Sequence, residues 1–473
     1  MPELKNREVF EEKLPFKTKF AYGSTNMAHF ALSNIAFTAI TFYYNVKLGL
    51  DAGLIGIGWL IFAIWNALND PLFGFMEDQT KSKKYGRRIP YVRFLAPLHG
   101  ILFLLFWFPL VDVNNELALF FNFLLILLAY DTILTMTAIA LYALPAEMAI
   151  SSKERSNIMV FDTIIGGVGS GIAFILPVFL LTGGESGQIG PYFYFTMFIL
   201  AIVFSSIMFI GSFFLKENRY TFLEDALNLN EGVKETFKNK PFILFSIANF
   251  SFTIAMTTLT TAVFYYVSFV LKLSGLLTIL PILAVYITAM AFSIAVIPLI
   301  GKYGVKKVYI IGLMWMGLGF IVLLFTGWIF FTAIITLLFL GAGISILFVT
   351  GPTILADIID YDEIRTTKRR ETTYSGVNAL IAKPAISLAN WLFLLIIVAY
   401  GFDPLVKDQT LTAQFGIMIA ITIVPALFLF LGVIIMRFYP LYGSEWINKK
   451  IELLNIHAKK EKAFYEYLKR NGV

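Results

Sequence analysis

The sequence predicts an all-α membrane protein of twelve transmembrane helices. Two observations carry this. Of 473 residues, 58% are hydrophobic and only 14% charged, where a soluble chain carries about 25% charge. The apolar stretches are also continuous and about 20 residues long, with no inward–outward alternation, which fits helices and excludes a barrel. There is no cysteine, so disulfides and thiol-held metals are excluded. The net charge of +6 is concentrated in loops and the tail. That pattern speaks for membrane topology and anionic lipid, and against nucleic acid.

Taken in order, the predicted spans are about 17–47, 52–77, 90–111, 117–144, 157–182, 191–215, 241–271, 273–300, 307–328, 330–357, 373–401 and 411–438. The polar start, up to about Phe16, lacks the apolar core of a cleaved signal. An even number of spans puts both termini on one side. The loop after span two is strongly basic. Lys153 and Arg155, then Lys302, Lys306 and Lys307, then Arg365, Lys368, Arg369 and Arg370 lie in loops on the same side. The opposite loops VDVNNE and TGGESGQIGPY carry no base, and the ninth-to-tenth link is a bare turn at Gly327. The termini are therefore expected in the cytoplasm, with the chain multi-pass in the plasma (inner) membrane.

Four parts follow: an N-terminal six-helix half at 1–215, a cytoplasmic middle loop at 216–240, a C-terminal six-helix half at 241–438 and a basic amphipathic tail at 439–473. Within the middle loop, TFLEDALNLNEGVKETF is expected to form a surface helix. In the tail, Trp446 or Ile447, Ile451, Leu454 and Ala458 fall at helical spacing, as for a helix lying on the inner leaflet. Two halves of six, with a basic loop after the second span and a weaker one at GKYGVKK after the eighth, have the layout of the major-facilitator fold.

Polar residues inside the apolar spans mark the candidate site, because a charge in hydrocarbon is expensive unless paired or facing a wet cavity. Asn66, Asn69 and Asp70 sit in span two, with Pro71 expected to bend the helix there and Gly74 to allow a close helix contact. Asn26, His29 and Ser33 share a face of span one. Asp131, Thr135, Ala138 and Tyr142 form one stripe of span four, and Lys383, Ser387 and Asn390 one stripe of span eleven. At 1.5 Å per residue, Lys383 lies about 15 Å deep. Asp162 is expected near a helix N-terminus, where the dipole would stabilise it. His29, Asp70, Asp131, Asp162 and Lys383 thus fall in one slab on five helices. Glu77, Asp78 and the loop bases are expected to form a gating charge network. The three histidines, at 29, 99 and 457, are too dispersed for a metal site, and no nucleotide motif is present.

Two stretches carry a resemblance. DPLFGFMEDQTKSKKYGRRIP, Asp70 to Pro90, and ADIIDYDEIRTTKRRETTYSG, Ala356 to Gly376, resemble the two signatures of the glycoside–pentoside–hexuronide:cation symporters. The resemblance implies a major-facilitator fold and cation-coupled uptake of a sugar or sugar derivative. It implies a cation-coupling group of Asp70, Asn66 and Thr135, where the family's first span-two carboxylate is replaced by Asn66. It also implies a substrate group drawn from Lys383, Tyr142, His29 and Asp162, with the sugar-gripping carboxylate of span four replaced by Ala138. Asp131, Asn26, Asn390 and Trp391 complete the substrate candidates. The gating candidates are Gly74, Asp78, Lys81, Arg87, Arg88, Asp357, Asp360 and Arg369.

The expected function is secondary active transport by alternating access, with no enzyme activity and no cofactor. The expected partners are a sugar or sugar-acid substrate, a coupling ion and the lipid bilayer. A proton is favoured over Na+, since hard sodium wants several oxygens with net negative charge and one carboxylate is gone. With Lys383 and His29 in the cavity, an anionic hexuronide is favoured over a neutral galactoside. A lysolipid or amphiphile carrier of the same fold, or a non-transporting solute sensor, are the alternatives.

Overall fold

The computed structural model describes residues 13–80, 86–149, 152–182, 191–217, 234–366 and 371–451. Among these, twelve long helices follow one another: α1 (Phe16–Phe42), α2 (Ala52–Gln79), α3 (Ile89–Trp107), α4 (Glu116–Met148), α5 (Ser152–Thr182), α6 (Pro191–Gly211), α7 (Lys240–Tyr265), α8 (Leu280–Tyr303), α9 (Val305–Thr326), α10 (Phe330–Thr366), α11 (Glu371–Ala399) and α12 (Leu411–Arg437). A π-helical turn, Tyr43–Lys47, prolongs α1, and another, Tyr266–Val270, prolongs α7. In lipid every backbone N–H and C=O must be answered within its own segment, so continuous apolar runs become helices.

Eleven of the described helices are long and apolar enough to cross a membrane. The remaining one, α1, has the length, 27 residues, but carries Asn26, His29, Ser33 and Asn34 along its course. Asp51 caps α2 by accepting from the Leu54 N–H at 3.0 Å, and Asn115 caps α4 through Ala118 at 3.1 Å. Large apolar side chains such as Ile64 and Leu68 of α2, Leu125 of α4 and Ile164 and Val168 of α5 stand exposed, as a lipid-facing surface requires.

Several boundaries move. α10 continues past its predicted end at 357 to Thr366, because Ile358, Ile359, Asp362 and Glu363 of the signature are buried against the rest of unit two, and packing carries the helix on where apolarity stops. α2 runs unbroken through Pro71. An added Cβ at Gly74 would meet no described atom within 4 Å, so the expected close helix contact is not made among the described residues. The predicted middle-loop helix falls largely outside the described residues, as do Lys81, Arg369 and the tail beyond Ile451. The Asp78 side chain is also outside them.

By its contacts the chain divides into two compact units. Unit one comprises Met1–Ala226, Thr260–Ile282 and Asn390–Ile417; unit two comprises Leu227–Leu259, Leu283–Ala389 and Met418–Val473. In unit one α1 packs most extensively on α5, α3 on α6 and α4, and α2 on α4. A core of Tyr22, Val92, Leu141, Leu144, Met148 and Ile158 lies among them. In unit two α9 packs along α10, and Ile254 of α7 meets Ala385 and Ala389 of α11.

Among the described glycines of unit two, Gly341 of α10 comes closest to a neighbouring backbone. A Cβ there would stand 2.5 Å from the Val285 carbonyl oxygen of α8 and 2.9 Å from the Thr288 Cβ. Gly341→Ala must push the helices apart, and overpacking of this kind costs about 1–3 kcal/mol. Thermal unfolding in detergent should show a lower midpoint; an unchanged midpoint would contradict this helix contact.

Candidate functional site

In unit one α2 meets α4 through a buried polar pair: the Asn69 amide donates to the Asp131 carboxylate. Both residues are buried. For Asp131 this is the helix-to-helix bond that a polar side chain forms when water is absent. Asn66, one turn before Asp70, is buried on α2, Thr135, one turn after Asp131, is buried on α4, and Asp70 is half-buried. The Asn66 Oδ1 and Asn69 Oδ1 atoms have no hydrogen-bond donor. Along the α4 stripe burial falls from 2% exposure at Asp131 and 1% at Thr135 to 59% at Tyr142.

A second polar group joins α1, α4 and α5. The Asn26 amide donates to Asp162 Oδ1 at 2.8 Å. Tyr22 lies within electrostatic reach of both Asp162 and Tyr142, and its hydroxyl donates to the Leu141 carbonyl at 3.1 Å. Because α5 starts at Ser152, Asp162 lies about 15 Å along the helix. The macrodipole fades within the first turn, so Asn26, not the helix start, is what holds Asp162. His29 is buried against His99 of α3.

Lys383 belongs to unit two, half-buried on α11 above the buried Ser387. On the same helix Asn378 accepts from the Asn249 amide of α7 at 3.4 Å.

Asn390 and Trp391 lie in unit one, where segments from both halves of the sequence meet at the end away from the basic loops. Thr41 of α1 and Thr261 of α7 both bond to Asn390 Oδ1, at 3.2 and 3.0 Å. The Trp59 indole donates to the Thr41 oxygen at 3.0 Å. The Tyr265 hydroxyl donates to Asn45 Oδ1 at 3.0 Å; Phe42, Phe393 and Phe402 contact the Tyr265 ring, and Phe264 stacks on Phe42. Trp391 lies across Gly56, where a Cβ would come within 3.1 Å of the indole. These two residues therefore sit in a closed polar and aromatic layer.

At the opposite end, the first signature is built around Arg88. Its guanidinium bridges Glu77 of α2 at 2.9 Å and Glu147 of α4 at 3.2 Å, and Glu77 has no exposure at all. Burial pushes the Glu147 carboxyl above the usual range, and the Arg88 charge pulls against it. Glu217, beyond α6, accepts from the backbone N–H of Arg87, Arg88 and Ile89, which closes the start of α3. Neither Glu147 nor Glu217 is legible as a site residue: Glu147 is one acid at the end of an apolar run, and Glu217 one acid in a polar loop. Nearby, Glu154 of α5 takes hydrogen bonds from Lys19 and the Leu14 N–H, both at 2.9 Å. In unit two Asp357, at the second signature, is held by Trp446 at 3.3 Å and by Lys450 of the tail. Asp360, one turn on, is half-buried.

Comparison with known proteins is consistent with this architecture. A family model described as MFS/sugar transport protein matches residues 21–443. An uncharacterised symporter of Synechocystis is 26% identical, over 92% of this chain and 96% of its own. A glucuronide carrier protein homolog of Escherichia coli is 21% identical, over 94% and 96%. The crystal structure of a D-xylose-proton symporter superposes with a TM-score of 0.63 at 16% identity, covering 89% of this chain and 97% of the other.

Arg88 sits between two buried carboxylates, so Arg88→Ala should leave both without their central cation. Breaking a buried pair by removing one partner costs about 3–5 kcal/mol. Folded yield and thermal midpoint should drop in Arg88→Ala and recover in part in the triple variant that adds Glu77→Gln and Glu147→Gln. Wild-type stability in Arg88→Ala would show that other groups hold the two acids.

Proposed function

Because the chain belongs to the MFS/sugar transport protein family, of the glycoside–pentoside–hexuronide:cation type, and not to an enzyme family, we propose that it couples uptake of a sugar acid to an inward proton gradient. Asp70 is the coupling carboxylate. The chain lies in the plasma membrane with its basic loops and termini in the cytoplasm, as the lysine and arginine distribution favours. The six-helix halves work by alternating access.

The observation that carries the coupling assignment lies on α2. There Asp70 is half-buried, while the residue one turn earlier is a buried amide, Asn66. A proton needs one carboxylate that can be reached; sodium needs several oxygens and net negative charge. The buried Asn66 Oδ1 and Asn69 Oδ1, which lack donors, favour a second reading in which Asp70, Thr135 and these amide oxygens surround Na+. Lys383, a half-buried positive charge within a span, offers an anionic substrate an attractive group. The glucuronide carrier homolog among the relatives fits that choice. On this reading Asp131, tied to Asn69, shapes the site, and Tyr142, Asn26 and Asp162 line its approach.

Uptake into proteoliposomes, with labelled glucuronides and neutral glycosides under separate proton and sodium gradients, tests the reading. Accumulation of the acid should follow the proton gradient, and Asp70→Asn should abolish accumulation while leaving exchange. Uptake driven as steeply by sodium as by protons would overturn the proton assignment in favour of the amide–sodium site. Uptake confined to neutral glycosides would overturn the anion.

Alternating access also gives the Asn390 layer a role as the gate closed in this conformation. The natural chain has no cysteine, so a cross-link can be placed without background. Thr41 and Thr261 both reach one oxygen of Asn390. In Thr41→Cys/Thr261→Cys, oxidation should stop transport and reduction should restore it. Undiminished transport in the fully oxidised protein would rule this layer out as a gate.

A further inference from the structure

The chain has three histidines, and two of them meet inside unit one. The His29 ring of α1 and the His99 ring of α3 stand edge to face, with centroids 5.3 Å apart and planes at 88°. His99 is fully buried; His29 keeps 7% exposure. His99 Nε2 lies 2.9 Å from the Tyr130 hydroxyl of α4, and the two rings touch at 4.9 Å. Nδ1 of each imidazole is buried with no hydrogen-bond partner.

Two unpartnered ring nitrogens in an apolar layer are expensive, and each such atom in a native interior asks for an explanation. A pair of phenylalanines would fill the same space without that penalty. Histidine differs in taking up a proton near neutral pH. A proton added to a lone pair of His29 creates a new N–H. With a turn of that ring, the N–H can point at the unpartnered Nδ1 of His99, so one proton answers nitrogens on both rings. No bond breaks, and a second proton is opposed by like-charge repulsion. Tyr130 can follow the change, because a hydroxyl donates or accepts according to its neighbour.

The surroundings leave this pair distinct. On α1 the Ser33 hydroxyl donates to the His29 carbonyl at 2.7 Å, and Asn26, a turn away, is engaged with Asp162 of α5. On α4 the residue after Tyr130 is Asp131, engaged with Asn69 of α2. On α6 the neighbour beside His99 is Ser205, packed against Gly100, which does not titrate.

We propose that His29 and His99 form a proton-binding site that holds one proton between the two rings, with His29 as the side of entry and the Tyr130 hydroxyl as the partner that reorients. It is separate from Asp70.

The test needs no substrate. Full-length protein labelled with 15N in its imidazoles, in lipid nanodiscs, gives three histidine signals, and His457→Gln leaves the two interior ones. Lowering the pH from 8 to 4 should shift both together, with one proton taken up by the pair, and in His29→Gln the His99 titration should disappear or move by more than a pH unit. If either ring stays neutral throughout in the otherwise natural chain, or if His99 titrates identically in His29→Gln, the site does not exist. The two-signal titration decides even if His29→Gln fails to fold. Asp70→Asn should leave the titration unchanged, so this site and the coupling carboxylate stand or fall separately.

Discussion

A polar atom in hydrocarbon has to be answered by another polar atom of the same protein, because no water is there to do it. That constraint organises this molecule. It makes the apolar runs helices, and it then makes the few polar side chains within them join those helices in pairs. Asn69 with Asp131 ties α2 to α4, Asn26 with Asp162 ties α1 to α5, and Thr41 and Thr261 meet on Asn390. Where the constraint is met, a residue holds the bundle together. Where it is not, as at Asn66 Oδ1 and at Nδ1 of the two histidines, the unanswered atom marks a place for a ligand or a proton.

The two ends of the bundle are closed by different chemistry. At the basic-loop end of unit one the closures are ionic: Arg88 with Glu77 and Glu147, and Lys19 with Glu154. Unit two repeats the theme with Lys450 and Asp357. At the other end of unit one the closure is neutral, made of threonine, asparagine and tyrosine bonds under a layer of rings. Buried ion pairs such as Arg88 with Glu77 respond to protonation and little to salt; buried neutral bonds and ring contacts respond to shape and to the fit of the helices.

The architecture was largely legible because it rests on local sequence. Runs of apolar residues fixed the starts of α2, α6, α10 and α12 to within a residue of the structure. The site was legible in its parts but not in its pairings. Buried polar residues announce themselves one at a time, while the partner of each depends on which helices pack together. His99 reads as a solitary histidine until α3 and α1 are placed side by side. Glu217 reads as a loop acid until the start of α3 is seen to lack other partners. The end of α10 was missed for another reason: apolarity measures how far a helix stays in lipid, not how far it remains a helix.

That last point concerns scale. A helix of 37 residues is about 55 Å long, and the hydrocarbon core is about 30 Å thick. Some 25 Å of α10 therefore extends past the lipid as a stalk packed within unit two, where Ile358, Asp362 and Glu363 are buried and Lys450 holds Asp357. A tilt of about 10° around its membrane-embedded part would carry its far end, with the groups packed on it, through about 4 Å. The stalk is a lever arm: a rearrangement too small to see among the packed side chains becomes a displacement large enough for a pair of spin labels or dyes to measure in water.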